Sequence, residues 1–201
     1  MLKSFSQFLT EETDDESPKV KVYCDLDGVL VDFNRGFKNL DANEDKLSPA
    51  EYEKKHGLDK MWSMVDDEGE SFWANLRWKK DGRELWDYLR RYEPIILSSP
   101  SRSKNSILGK MKWIKRNLGI NQKEPTKSSK KWEDDSRIIL SRYKYKFAKG
   151  PTDILIDDTR EKIDKWVEAG GTGVLHTDST DSIRVIEDII SSLSKSKGSR
   201  T

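Results

Sequence analysis

Two aspartates that directly follow a short apolar run offer the clearest starting point for chemistry. Asp25 and Asp27 come after the run VKVYC (20–24) and before Gly28. Residues two apart on a strand point to the same face, so we expect two neighbouring carboxylates at a strand's carboxyl end. Such carboxylates repel each other unless a cation lies between them, and a hard divalent cation prefers oxygen ligands. One could then attack a phosphorus atom while the other handles the proton of the leaving group.

This segment has two other interpretations. It could be an acidic turn without a chemical role. It could also be an EF-hand calcium loop, which needs glycine at its sixth position and glutamate at its twelfth. Counted from Asp25, these positions hold Leu30 and Gly36, so the EF-hand is excluded.

A second pair of acids follows another apolar run. Asp157 and Asp158 come after ILI (154–156) and before Thr159. A helix N-cap formed by Asp158 or Thr159 would account for one acid, but less well for two. A second acidic cluster would also explain how a metal is held, since Asp25 alone could not bind it.

Small hydroxyls and lysines complete the set of candidate residues. Ser98 and Ser99 end the apolar run 95–97, where a hydroxyl could donate a hydrogen bond to a phosphate oxygen, although ordinary strand-to-helix turns look the same. The segment 142–149 offers Lys144, Lys146 and Lys149. A lysine there would offset negative charge on an attacking carboxylate and on a phosphate.

The elements that must position these residues alternate along the chain. Short β-rich runs at 20–24, 94–98, 137–140, 154–156 and 173–176 predict strands. Helical patterns at 103–118, 143–148, 160–169 and 181–193 lie between or after them. This alternation predicts an α/β fold with a Rossmann-like parallel sheet of about five strands.

One interval between the first two predicted strands is too long for a simple crossover. Residues 82–92 can form the crossover helix, and residues 33–81 then predict a small helical cap inserted after strand 1. Ligands of such sheets bind at the carboxyl ends of the strands, so the cap is expected over the site. We assign 18–32 and 82–194 to the core domain, 1–17 to an amphipathic helix and linker, and 195–201 to a flexible tail.

The order of these features resembles the haloacid dehalogenase (HAD) superfamily over residues 20–176. The resemblance implies that Asp25 is the nucleophile and a metal ligand. It implies that Asp27 is the general acid and base, with a backbone carbonyl that also binds the metal. An acid at this second position favours a phosphatase, because it can protonate a departing alkoxide.

The same resemblance assigns the remaining positions. Ser98 binds the phosphoryl group, Asp157 ligates Mg²⁺ directly or through water, and Asp158 supports it. The spacing Lys-x-x-Phe-Ala favours Lys144 as the catalytic lysine, with Lys146 as the second choice.

Within the superfamily, the stretch DLDGVLVDF (25–33) is similar to the 5′(3′)-deoxyribonucleotidases, as are SSP (98–100) and LIDD (155–158). The similarity implies that Phe33 packs against the base or sugar and that Ser99 assists Ser98. Phe72 and Trp73 would wall the base pocket, unless they only pack the cap core.

We therefore predict a Mg²⁺-dependent phosphomonoesterase that acts through an aspartyl-phosphate. More specifically, we predict a 5′-nucleotidase whose substrates are (deoxy)nucleoside monophosphates. Two alternatives stay open. One is the same chemistry on another small phosphoester or on a 3′-phosphorylated nucleic acid end. The other is a binding protein that kept the fold and lost catalysis.

Composition narrows the partners and the compartment. The chain has 37 Lys and Arg against 36 Asp and Glu, and its net charge of +1 gives no electrostatic reason to bind nucleic acid or membranes. Cys24 is the single cysteine, which excludes an internal disulfide and fits a reducing cytoplasm. We expect a cytoplasmic protein with a small phosphorylated substrate as partner, and a homodimer stays open.

Overall fold

A five-stranded parallel sheet with the strand order β3-β2-β1-β4-β5 forms the centre of the computed structural model. The structure describes residues 19–121 and 137–198, so the amphipathic helix predicted within 1–17 lies outside the described residues. The strands are β1 (Lys21–Cys24), β2 (Ile95–Ser98), β3 (Ile138–Leu140), β4 (Asp153–Asp157) and β5 (Thr172–Leu175). The fold class is confirmed, and each predicted strand boundary differs by one residue at most.

Helices cover both faces of this sheet. In chain order they are α1 (Phe33–Lys38), α2 (Pro49–His56), α3 (Leu58–Asp67), α4 (Gly69–Ala74), α5 (Gly82–Leu89), α6 (Lys104–Leu118), α7 (Arg160–Glu168) and α8 (Ser179–Gly198), with 3₁₀ turns at Arg90–Tyr92 and Lys144–Phe147. None of the helices within 19–121 and 137–198 is long and apolar enough to cross a membrane.

The sheet is buried on both faces, as parallel sheets usually are. Val22 and Cys24 face a core that α5, α6 and α8 cover, whereas Tyr23 faces a smaller cluster under α7. This alternation follows from the two-residue period of a strand. Because Val22, Tyr23 and Cys24 give this strand buried side chains on both faces, it can occupy the middle of the sheet.

Two predicted helical segments differ from the structure. The segment 143–148 forms only a 3₁₀ turn, which Gly150 and Pro151 soon follow. The last helix does not end at 193 but continues to Gly198, so most of the predicted tail 195–201 belongs to it. Its serines are compatible with a helix because their hydroxyls bond the carbonyl one turn earlier, as Ser192 does with Asp188 at 2.8 Å.

Two backbone hydrogen bonds join the chain that leads into the α1–α4 segment to the chain that leads out of it. The N–H of Asp32 donates to the carbonyl of Arg77 at 2.9 Å, and the N–H of Lys79 donates to Leu30 at 2.8 Å. Farther along, α4 packs closely on α6, and the indole N–H of Trp113 in α6 donates to the carbonyl of Leu76 at 2.8 Å. The segment is therefore held at two places, with a cavity between it and the sheet edge.

Candidate active site

Three of the four acids in the two predicted pairs meet at the carboxyl edge of the sheet. Strands β1 and β4 are neighbours, and Cys24 lies opposite Ile156 in their register. The next residue, Asp25, continues the pairing through its N–H, which donates to Ile156 at 2.9 Å. As a result, one carboxylate oxygen each from Asp25, Asp157 and Asp158 lie within 4.8 Å of one another.

A buried lysine joins two of these acids. Nζ of Lys144 lies 2.9 Å from Oδ2 of Asp25 and 2.6 Å from Oδ2 of Asp157, and the lysine is 2% exposed. The short 3₁₀ turn directs this side chain to the sheet edge. The alternative lysine, Lys146, is exposed and lies over the ring of Tyr143 instead. The geometry thus favours Lys144 among the two candidates.

Asp25 is held as a carboxylate by the surrounding cations. Burial alone would raise the pKa of Asp25, but the ammonium groups of Lys144, Lys162 and Lys110 together lower that pKa from 3.8 to about 2. One of its oxygens accepts the N–H of Leu26 at 2.7 Å, which fixes the orientation of the carboxylate. An ionised, oriented carboxylate is what a nucleophile requires.

The pKa values of the two acids at the end of β4 shift in the opposite direction. Burial and the charge of Asp25 raise the pKa of Asp157, and burial together with the charges of Asp25 and Asp157 raises the pKa of Asp158 to about 6. Three crowded carboxylates with oxygen donors alone are the ligand set of a hard divalent cation. These residues therefore fit a Mg²⁺ ion.

Asp27 belongs to a different set of contacts, which centres on Lys110. This lysine in α6 is 0% exposed, and its Nζ forms an ion pair with Oδ2 of Asp27. The same Nζ donates to Oγ of Ser98 and to the carbonyl of Ser99, both at 2.9 Å. The other oxygen of Asp27, Oδ1, is buried and accepts no hydrogen bond within the described part of the chain. Lys110 thus fixes one oxygen of this carboxylate, and the other oxygen keeps its hydrogen-bonding capacity unused among the described residues.

A cavity of about 880 Å³ opens in front of these groups. Asp25, Asp27 and Ser99 line it, whereas Ser98 is completely buried behind them. Its volume is that of a site for a small organic ligand. Of these two serines, Ser99 therefore lines the cavity, with its hydroxyl donating to the carbonyl of Ser141 at 3.4 Å, and Ser98 contacts Lys110 instead.

The aromatic residues predicted for substrate binding have different positions. Phe33 is half-buried and lines the cavity, as does Trp73, although Trp73 is 2% exposed. Phe72 does not line the cavity and packs edge-on behind Phe33, with ring centroids 5.6 Å apart. Trp62, which the sequence reasoning did not select as a binding residue, is half-buried, lines the cavity and lies 6.1 Å from Phe33.

Three further lysines lie at the site, although the sequence patterns did not predict them. Lys162 in α7 lies 3.7 Å from Asp25 and reaches the cavity, and Lys79 donates to the carbonyl of Gly28 at 2.7 Å. The signal for Lys110 was available, because it lies on the same helical stripe as the buried Trp113 and Ile114. A lysine within an apolar stripe needs a buried partner.

Gly28 allows the two acid pairs to come this close. Its φ of +77° lies in the left-handed region, and an added Cβ would be 1.9 Å from Oδ2 of Asp158. Any other residue here would be strained and would also displace Asp158. The glycine after the first acid pair is therefore a requirement of the site as well as of the turn.

Comparison with known proteins relates the chain to solved hydrolase structures. No protein-family model matches the sequence, and no curated protein sequence matches it. A hydrolase from Streptococcus pneumoniae TIGR4 is 12% identical, with 85% of this chain and 100% of that chain covered and a TM-score of 0.50. A HAD-superfamily hydrolase from Ehrlichia chaffeensis is also 12% identical, over 87% and 98% of the two chains, with a TM-score of 0.48.

A third structure, a HAD family enzyme from Bacteroides thetaiotaomicron in a magnesium complex, is 20% identical over 81% of this chain and 95% of that chain, with a TM-score of 0.36. At these identities a likeness concerns the fold. The comparison with the streptococcal protein shows that this chain shares the α/β fold of that hydrolase.

Proposed function

We propose that this protein is a Mg²⁺-dependent phosphatase of the HAD type that forms an aspartyl-phosphate on Asp25. The observation that carries the proposal is the meeting of Asp25, Asp157 and Asp158 within 4.8 Å, beside a cavity that Asp25 and Asp158 line. A purely structural acidic turn would not need three carboxylates brought together from two strands. It would also not need a buried lysine between them.

The first step is the attack of Asp25 on phosphorus. Its carboxylate is ionised and oriented by the N–H of Leu26 and by Lys144. Lys162 and Ser99 line the same cavity and can bind the oxygens of the phosphoryl group. Ser98 acts behind them, where it helps to hold Lys110.

Asp27 handles the protons in both steps. As an acid it protonates the departing alkoxide while the bond between Asp25 and phosphorus forms. As a carboxylate it then takes a proton from the water that hydrolyses the aspartyl-phosphate. Lys110 orients Asp27 for both tasks through its contact with Oδ2.

The metal would be held by the three clustered carboxylates of Asp25, Asp157 and Asp158, together with the backbone carbonyl of Asp27. Bound there, Mg²⁺ supplies positive charge that offsets the repulsion between a carboxylate nucleophile and an anionic phosphate. Lys144 provides a second, permanent positive charge at Asp25 and Asp157. The substrate we propose is a nucleoside monophosphate, because the cavity has room for one and the aromatic residues Phe33 and Trp62 line it, where a base could stack.

The test is release of phosphate from a panel of nucleotides and sugar phosphates with and without Mg²⁺. We expect Mg²⁺-dependent turnover that Asp25→Asn lowers by at least ~10³-fold, since loss of a nucleophile removes the main reaction path. Asp164→Asn is the matched control, an exposed acid that does not line the cavity, and it should keep full activity. Full turnover by a correctly folded Asp25→Asn variant would refute the proposal.

A further inference from the structure

One face of α3 forms part of the cavity wall. Asp59, Trp62, Ser63 and Asp66 all line the cavity, and their spacing of three and four residues places them on the same side of the helix. The buried Met61 and Val65 lie on the side turned into the core. The side of α3 that faces the cavity therefore carries the indole of Trp62, with one carboxylate a turn before it and another a turn after it.

Neither Asp59 nor Asp66 takes part in an ion pair among residues 19–121 and 137–198. Residues 33–76, all of them described, contribute no lysine or arginine to the cavity wall. The cations that line the cavity come from other segments, and one of them, Lys162, lies 3.7 Å from Asp25. Lysine and arginine side chains thus accompany the acids at the nucleophile's end of the cavity, whereas α3 contributes carboxylates without any cation.

Two buried polar atoms in the same region lack a hydrogen-bond partner among the described residues. Oδ1 of Asp66 is buried and accepts no hydrogen bond within the described residues. The indole N–H of Trp73, a residue that is 2% exposed and lines the same cavity, has no acceptor there either. A buried donor and a buried acceptor without partners are costly, so a bound group that supplies both would be favoured over one that supplies neither.

We propose that the α3 face selects phosphomonoesters whose far end is a flat ring with an amino group at its edge, which means nucleotides with an amino-bearing base. The inference rests on the proposed phosphatase function and specifies its substrate class. A base that stacks on Trp62 presents its edge to the carboxylates in the adjacent turns. An amino group donates to such a carboxylate, whereas a carbonyl oxygen at that position repels it.

The test compares nucleotides that differ at this edge. We measure kcat/KM for dCMP against dUMP and for dAMP against dIMP, because each pair exchanges an amino group for a carbonyl. We expect the amino-bearing member to be favoured ~10-fold or more, as for a site built to accept a hydrogen bond. Asp66→Asn and Asp59→Asn should bring the ratios closer to one, since an amide also donates. Asp67→Asn, an exposed neighbour that does not line the cavity, should leave them unchanged.

The outcomes separate this inference from the function on which it rests. Turnover of p-nitrophenyl phosphate with Mg²⁺ reports the phosphatase chemistry without a base. If it and every nucleotide stay intact, both proposals are wrong. If p-nitrophenyl phosphate is hydrolysed but dUMP and dIMP match or exceed their partners, the inference alone is wrong. It is also wrong if the preference survives unchanged in both Asp66→Asn and Asp59→Asn.

Discussion

Replacement of Lys110 by methionine should impair the chemistry far more than the fold. The side chain is completely buried, and methionine has a similar length without the ammonium group. Lys110→Met removes the ion pair with Asp27 and the hydrogen bonds to Ser98 and the Ser99 carbonyl. Asp27 itself is unchanged in this variant, but it loses the contact that orients it toward the leaving group.

The size of each effect can be worked from these contacts. Two lost hydrogen bonds cost about 1 kcal/mol each. The side chain of Asp27 is 26% exposed and can be hydrated, and removal of a buried ammonium group relieves its desolvation. The free energy of unfolding should therefore change by less than about 2 kcal/mol. General acid catalysis contributes ~10²–10⁴-fold, so a misplaced Asp27 should lower kcat/KM by ~10²-fold, or about 2.7 kcal/mol.

The assay uses the leaving group to separate positioning from general damage. Because kcat/KM covers the steps up to departure of the leaving group, a nucleotide that needs protonation should show the full loss. With p-nitrophenyl phosphate, whose leaving group departs without a proton, the loss should stay below ~10-fold. Lys112→Met is the control on the same helix, since Lys112 is 66% exposed and, among the described residues, forms an ion pair with Glu70 alone. Equal losses on both substrates would refute the positioning role of Lys110.

Three further predictions concern the glycines and the metal. Gly28→Ala should lower phosphate release by ~10²-fold with an unchanged circular dichroism spectrum, because its Cβ would displace Asp158, and normal activity would contradict this. Asp158→Asn should weaken Mg²⁺ binding by ~10-fold or more in titration calorimetry, and unchanged affinity would remove Asp158 from the metal site. Gly109→Ala should lower the free energy of unfolding in urea by about 1–3 kcal/mol, because its Cβ would lie 2.4 Å from Cβ of Trp73. Gly150→Ala is the control and should have little effect, because its Cβ would meet no atom of the described residues within 4 Å.

The meeting of the acid pairs could be predicted because it depends only on topology. Asp25 and Asp157 each follow an apolar strand, and the carboxyl ends of parallel strands share one edge of a sheet. No knowledge of side-chain packing is needed for that step. The spacing of the lysines could not decide between Lys144 and Lys146, because a 3₁₀ turn directs neighbouring side chains differently from the helix predicted there.

The residues that the sequence reasoning missed depend on how helices dock. Lys110 reaches Asp27, which is 83 residues away in sequence, only because α6 turns its apolar stripe toward β2 and α4. In the α1–α4 segment, the choice between Trp62 and Phe72 depends on which side of each short helix faces the cavity. Helix α3 carries one aromatic residue, Trp62, and α4 carries Phe72 and Trp73, so the sequence pattern alone does not distinguish a wall residue from a core residue.

The most direct test of the account is to trap the covalent intermediate. Protein mixed with substrate and Mg²⁺ is quenched in acid during turnover, reduced with borohydride and analysed by peptide mass spectrometry. Reduction of an acyl phosphate converts the aspartate to homoserine, and we predict this change at Asp25 in the wild-type protein and its absence without substrate. Rapid turnover with the modification at another residue, or with none at all, would contradict the central claim.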